Sequence, residues 1–182
     1  MKQKSKSKLT PEALEQLLRE GRFSKERKLW IADRIGADEG LYRHLWRQVQ
    51  KGSDQYSRLA VWVLEACSLK HPFLIDSILG EIVDFLPRPN HNGIHRGLTK
   101  ILAELESIDE PYQGVLYSLC IDWILSPQKH VAIKVHCMTI AMTIAMPEPV
   151  LREELSMAIN DQIPYNSVAF AARARKILKR LN

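Results

Sequence analysis

Asn90–Leu102 reads NHNGIHRGLTKIL, and its pattern returns 38 residues later as QKHVAIKVHCMTI in Gln128–Ile140 and again as NSVAFAARARKIL in Asn166–Leu178. One step earlier, Arg58 and Leu64 stand where Arg96 and Leu102 stand. Three rows follow: Arg58, Arg96, Lys134, Ala172; Leu64, Leu102, Ile140, Leu178; and Asn90, Gln128, Asn166. A period of this length marks supersecondary units that bury their apolar faces only by stacking. The expected fold is therefore all-α, a right-handed α-α superhelix, or solenoid, of about five antiparallel helix pairs.

Working outward from the repeat, helix punctuation is plain. Thr10-Pro11, Ser24 and Asp38 are N-terminal signals, and Gly21, Gly36 and Gly52 are stops. Ten helices are predicted, at roughly 10–20, 24–35, 38–51, 54–69, 72–87, 92–107, 110–126, 130–146, 148–163 and 167–181. Pro72, Pro111 and Pro149 each open the first helix of a pair, where the first amides have no intrahelical partner to lose. The short links make successive helices pack antiparallel. Residues 1–9 read as a basic disordered arm and 10–182 as one repeat domain. Within it, 10–53 form an atypical capping hairpin and the start of a second repeat, and 54–182 are regular.

The register also sorts faces. Spacing of i, i+3, i+4, i+7 puts Ala60, Val63, Leu64 and Cys67 in the core, then Leu98, Ile101, Leu102 and Leu105, then His136, Thr139, Ile140 and Thr143, then Ala174, Ile177, Leu178 and Leu181. Trp62, Lys100, Met138 and Lys176 form a row turned away from it.

These units resemble the HEAT repeat family and its armadillo-like relatives. The carrying pattern is a polar turn residue followed six positions on by a base: Asn90 with Arg96 and Gln128 with Lys134, the base being lost at Asn166 and Ala172. The family tends to have an acid where this chain has an amide. The resemblance covers 54–182 well and 10–53 loosely. It implies fold rather than activity, with the second helices lining a concave surface.

On that implied surface, Arg58, Trp62, Arg96, Lys100, Lys134 and Met138 form the expected contact strip for a protein or peptide. Trp, Met and cations in one row offer stacking, adaptable apolar contact and charge. The competing reading makes Arg58, Arg96 and Lys134, with Asn90 and Gln128, a ladder of hydrogen bonds between repeats that satisfies turn carbonyls. The expected role is a non-catalytic scaffold.

Charge adds a second class. Residues 1–51 carry 13 basic and 7 acidic side chains, 52–165 carry 8 and 14, and 166–182 carry 5 and 0. Lys2, Lys4, Lys6 and Lys8 at one end, and Arg173, Lys176, Lys179 and Arg180 at the other, suit nucleic acid. Certain alkylpurine DNA glycosylases share a HEAT-like fold, but no motif of theirs carries over, and an acidic body is the wrong sign for a DNA cleft. Asp84-Phe85 and Asp122-Trp123 recur with the repeat, which points to helix ends.

No nucleotide, hydrolase or zinc-protease motif is present, and neither cofactor nor metal is expected. His91 and His95 read as solvated turn residues, and His136 as a core histidine. Cys67, Cys120 and Cys137 lie in apolar stretches without a Cys-x-x-Cys, which suits buried thiols in a reducing compartment. Met1–Lys8 leads into a polar helix rather than an apolar run, so no export signal is expected. The Cys137–Pro147 run is about half of the roughly 20 residues that span a membrane. A cytoplasmic protein, monomeric or weakly dimeric through its end repeats, follows.

Overall fold

A computed structural model describes residues 9–20, 24–52 and 55–181. The basic arm with Lys2, Lys4, Lys6 and Lys8, the stop at Gly21 and the first residue of the predicted 54–69 helix lie outside those residues. Among the described residues the protein has ten α-helices and no strand. They are α1 Pro11–Arg19, α2 Lys25–Ile35, α3 Glu39–Gln50, α4 Gln55–Lys70, α5 Leu79–Phe85, α6 Asn92–Ala103, α7 Glu110–Leu125, α8 Val131–Ala145, α9 Pro149–Gln162 and α10 Val168–Leu181.

The chain divides into two compact units, Met1–Ile78 and Leu79–Asn182. The sequence suggested a continuous helix over 72–87. Instead the division between the units falls inside that span. Pro72–Ser77 form a 3-10 segment, and Ile78 leaves helical geometry at φ −134° before α5 begins.

In the first unit the three predicted N-caps are in place. Thr10, Ser24 and Asp38 side chains accept from the amides of Ala13, Arg27 and Leu41 at 3.2, 3.2 and 3.0 Å, each satisfying an amide that the helix leaves unpaired. Gly36 ends α2 at φ 56°, ψ −133°, a region a side chain seldom enters. α4 packs against α1, α2 and α3, enclosing Leu14, Ile31, Leu45, Trp46 and Leu64. Tyr42 and Ser68 share a buried hydrogen bond of 2.7 Å, and the Ser68 hydroxyl also donates to the Leu64 carbonyl at 2.8 Å.

In the second unit α8 is the hub. It packs against α6, α7, α9 and α10, so α7–α8 and α9–α10 form helical hairpins around it. Pro111 and Pro149 open α7 and α9 as predicted. α6 stops at Ala103 rather than 107, its last turn tightening as Glu104 N–H donates to the Ile101 carbonyl. Glu104 and Glu106 there add negative charge to the negative end of the helix dipole.

The predicted core rows hold in α4, where Ala60, Val63, Leu64 and Cys67 are all buried. They hold through α6 and for most of α10; Leu105, past the end of α6, and Leu178 are half-buried. In α8 they do not. His136, Thr139 and Thr143 are only half-buried, while Ala141 and Met138, the latter predicted to face away, are fully enclosed. Four neighbouring helices cover α8 on more than one side, so a register that distinguishes two faces cannot describe it. On its polar edge the hydroxyls are satisfied by bonding back one turn, Thr143 to Thr139 and Thr139 to Val135.

Candidate functional site

The predicted strip is drawn from both units, and its members differ in exposure. Arg58 and Trp62 on α4 are half-buried. Lys28 of α2 lies 6.0 Å from the Trp62 ring centroid and pairs with Glu65 at 3.4 Å, so the preceding helix pair shares this surface. On α6, Arg96 is exposed and Lys100 half-buried. Lys134 is only 3% exposed and Met138 is 0%. Met138 is therefore a core residue and offers no contact surface.

Lys134 serves the ladder instead. Its Nζ donates to Oε1 of Gln162 at the end of α9, at 3.3 Å, and lies 5.9 Å from the Phe170 ring. Asn166 Nδ2 donates to the Gln162 carbonyl at 2.8 Å. One base and one amide of the repeating rows are thus joined through Gln162, between successive helix pairs. Burial holds the Lys134 ammonium below its ordinary pKa, because a desolvated cation is disfavoured.

The histidine readings need correction. His91 is the exposed N-cap of α6, its Nδ1 accepting from the Gly93 amide at 2.9 Å. His95 is not a solvated turn residue: it is 2% exposed. Its ring sits 4.8 Å from that of Trp123, and its Nε2–H donates to the Arg88 carbonyl at 3.2 Å. A carbonyl only accepts, so this bond fixes the neutral tautomer and leaves Nδ1 as a buried lone pair without a partner. Burial, and next the Lys129 charge, push the imidazole down to about 4. Lys129 itself caps the Trp123 ring at 3.7 Å. His136 is half-buried rather than core.

Cys67, Cys120 and Cys137 are buried free thiols. Burial pushes Cys67 up to about 12. Cys120 is held above its usual value by its contact with Cys137 and by burial. Asp84 and Asp122 are exposed near the ends of α5 and α7. Among the described residues no group of three or more His, Cys, Asp or Glu could hold a metal ion, and no helix is long and apolar enough to cross a membrane. On α10, Lys176, Lys179 and Arg180 are exposed and Arg173 is half-buried.

Two clefts of the second unit that meet between α7 and α9 were missed from the sequence. One holds about 590 Å³ over Tyr117, Ile121, Ile144 and Leu151, rimmed by Glu110 and Asp122. The other holds about 550 Å³ over Ile121, Leu125, Val150, Met157 and Ala158, rimmed by Glu153 and Asp161. Ile121 and Glu154 line both, making them one groove. Tyr117, Ile121 and Leu125 stand four residues apart, a single stripe of α7. The Tyr117 hydroxyl fixes α9 by donating to the Leu151 carbonyl at 2.7 Å. Burial and the neighbouring Glu154 carboxylate both raise its pKa. Val150 and Met157 are 77% and 67% exposed.

A family model described as a HEAT repeat domain matches residues 14–181. No curated protein matches the chain.

Proposed function

Because the chain belongs to the HEAT repeat family, we propose that it works as a non-catalytic docking module for a protein or peptide in the cytoplasm. The observation that supports this best is the α7–α9 groove. Leu125, Val150 and Met157 are large apolar side chains left exposed on its apolar floor. Such a contiguous patch rimmed by polar groups marks an interaction site. Buried thiols with raised pKa are poor nucleophiles and suit a reducing cytoplasm. Of the residues in the expected strip, Arg96 is the most open, and Arg58, Trp62 and Lys100 are half-buried candidates.

The test is site-specific photo-crosslinking in the native host, with the photoreactive residue at Met157 or at Arg96. A covalent protein adduct at Met157 is expected. No adduct at either position removes the docking reading. An adduct at Arg96 alone moves the surface to the second helices.

One observation favours a second reading. α10 contains no carboxylate, and Arg175, Lys176, Lys179 and Arg180 are exposed on it. Cationic helices of this kind attract nucleic acid with an affinity that falls steeply with salt. Undetectable binding of single-stranded RNA and duplex DNA at low salt rejects that reading.

A further inference from the structure

The groove carries information about what fills it. α7 and α8 are both apolar around most of their circumference. A helix of that kind is buried on all sides or completes its burial against a partner. For α8 the four packed neighbours account for the apolar girth. For α7 they do not: Leu125, on the groove floor, is 40% exposed. Part of α7 therefore keeps apolar surface that the described residues leave uncovered.

Charge then narrows the occupant. Glu110, Asp122, Glu153, Glu154 and Asp161 line the two clefts, and no Lys or Arg lines either. A neutral or acidic segment would desolvate these carboxylates without pairing them, and a cationic one would pair them. Length narrows it further. From Glu110 to Leu125 the groove follows α7 for about 22 Å at 1.5 Å per residue, which fits three to four turns of a docked helix.

We propose that the α7–α9 groove of this protein receives a cationic amphipathic helix of a partner protein, its apolar stripe lying on Ile121, Leu125, Val150 and Met157 and its lysines or arginines facing Asp122, Glu153 and Asp161. This rests on the docking reading above and specifies the partner's chemistry. Helix-in-groove recognition of this type reads anchors at i, i+3 or i+4, and i+7. Val150 and Met157, seven apart on α9, and Ile121 and Leu125, four apart on α7, offer matching contacts.

The probe is a fluorescein-labelled peptide of about 15 residues with leucines at helical spacing and lysines elsewhere. A second peptide replaces every lysine with glutamate. Fluorescence polarisation on the full chain is expected to give saturable binding of the lysine peptide and none of the glutamate peptide. Asp122→Lys combined with Glu153→Lys should weaken binding at least tenfold, and Val150→Ser combined with Met157→Ser by a similar factor. All four positions are surface-exposed, and circular dichroism confirms that the variants remain helical. Equal binding of both peptides, or binding that neither double variant alters, overturns the proposal. If the lysine peptide fails to bind while protein adducts still form at Met157, the cationic assignment is wrong and the docking reading survives. If both fail, both fall. An adduct of twice the chain's mass identifies a second copy as the occupant, which also overturns the proposal.

Discussion

Acidification should destabilise this protein through His95 before its carboxylates titrate. The imidazole is neutral in the folded state, held down to about 4 first by burial and then by Lys129, against an ordinary value near 6.5 in the unfolded chain. Between those values the unfolded chain binds a proton that the folded chain refuses. The contribution is therefore complete above about pH 6.5 and is lost as pH falls toward 4. The full difference would be about 3 kcal/mol at about 1.4 kcal/mol per tenfold. Down to pH 5 only about 2 kcal/mol of it is expressed, and solvent near the half-exposed Lys129 reduces this to about 1–2 kcal/mol.

The assay is urea unfolding of the wild type and His95→Gln at intervals from pH 7.5 to 5. Glutamine keeps a donor for the Arg88 carbonyl and removes the titration. The wild type should lose about 1–2 kcal/mol relative to the variant across that range. A difference that stays constant with pH refutes the reasoning. So does an imidazole resonance of His95 that titrates near 6.5 in the folded protein.

Three further outcomes are expected. Lys134→Met, which keeps the aliphatic stem beside Phe170 and removes a buried ammonium, should change unfolding free energy by less than about 1 kcal/mol, whereas Lys134→Asp should cost about 3 kcal/mol or more; a large loss in the methionine variant would give the Gln162 bond the dominant role. Gly36→Ala must place a Cβ at φ 56°, ψ −133° and should cost about 1–3 kcal/mol, read as a lowered Tm; an unchanged Tm would show that the α2 end relaxes freely. Cys67, Cys120 and Cys137 should be inert to a thiol-disulfide reagent in the native protein at pH 8 and should all react in denaturant; fast native labelling of any one contradicts its burial.

Much of the fold was legible because helix ends are written locally. Thr10, Ser24 and Asp38 cap where their residue types predict, and Pro111 and Pro149 open helices as proline at a first turn does. The helix break at 72–78 was not legible. Its residues, Pro72-Phe-Leu-Ile-Asp-Ser77, keep apolar spacing that suits one turn of either helix type. His95 was misread because its turn-like neighbours Pro89, Asn90 and Gly93 suggested solvent, while the ring that covers it, Trp123, is 28 positions away. The groove left a fainter signal, the apolar residues on several sides of α7 and Val150 with Met157 at i+7, which repeat alignment assigns to no row.

Repeat registers predict which way a side chain points within a unit, and burial depends on what other units bring to that side. α6 and α8 share the same register, yet Arg96 is exposed and Lys134 enclosed, because α9 and α10 reach α8 and supply Gln162 and Phe170. The same logic runs in reverse for α7. Its sequence is as apolar as a helix with neighbours on every side, but Leu125 remains exposed on the groove floor. Burying such residues stabilises a fold at about 25 cal/mol per Å², so leaving them open forgoes stability in the isolated chain. A row of carboxylates along the same groove forgoes more, since like charges repel and nothing in the lining offsets them. Both costs are recovered by one event, the arrival of a segment that is apolar on one side and cationic on the other. Lys134 and α8 therefore belong to the scaffold, and the α7–α9 groove is where the repeat's own packing leaves work for a partner.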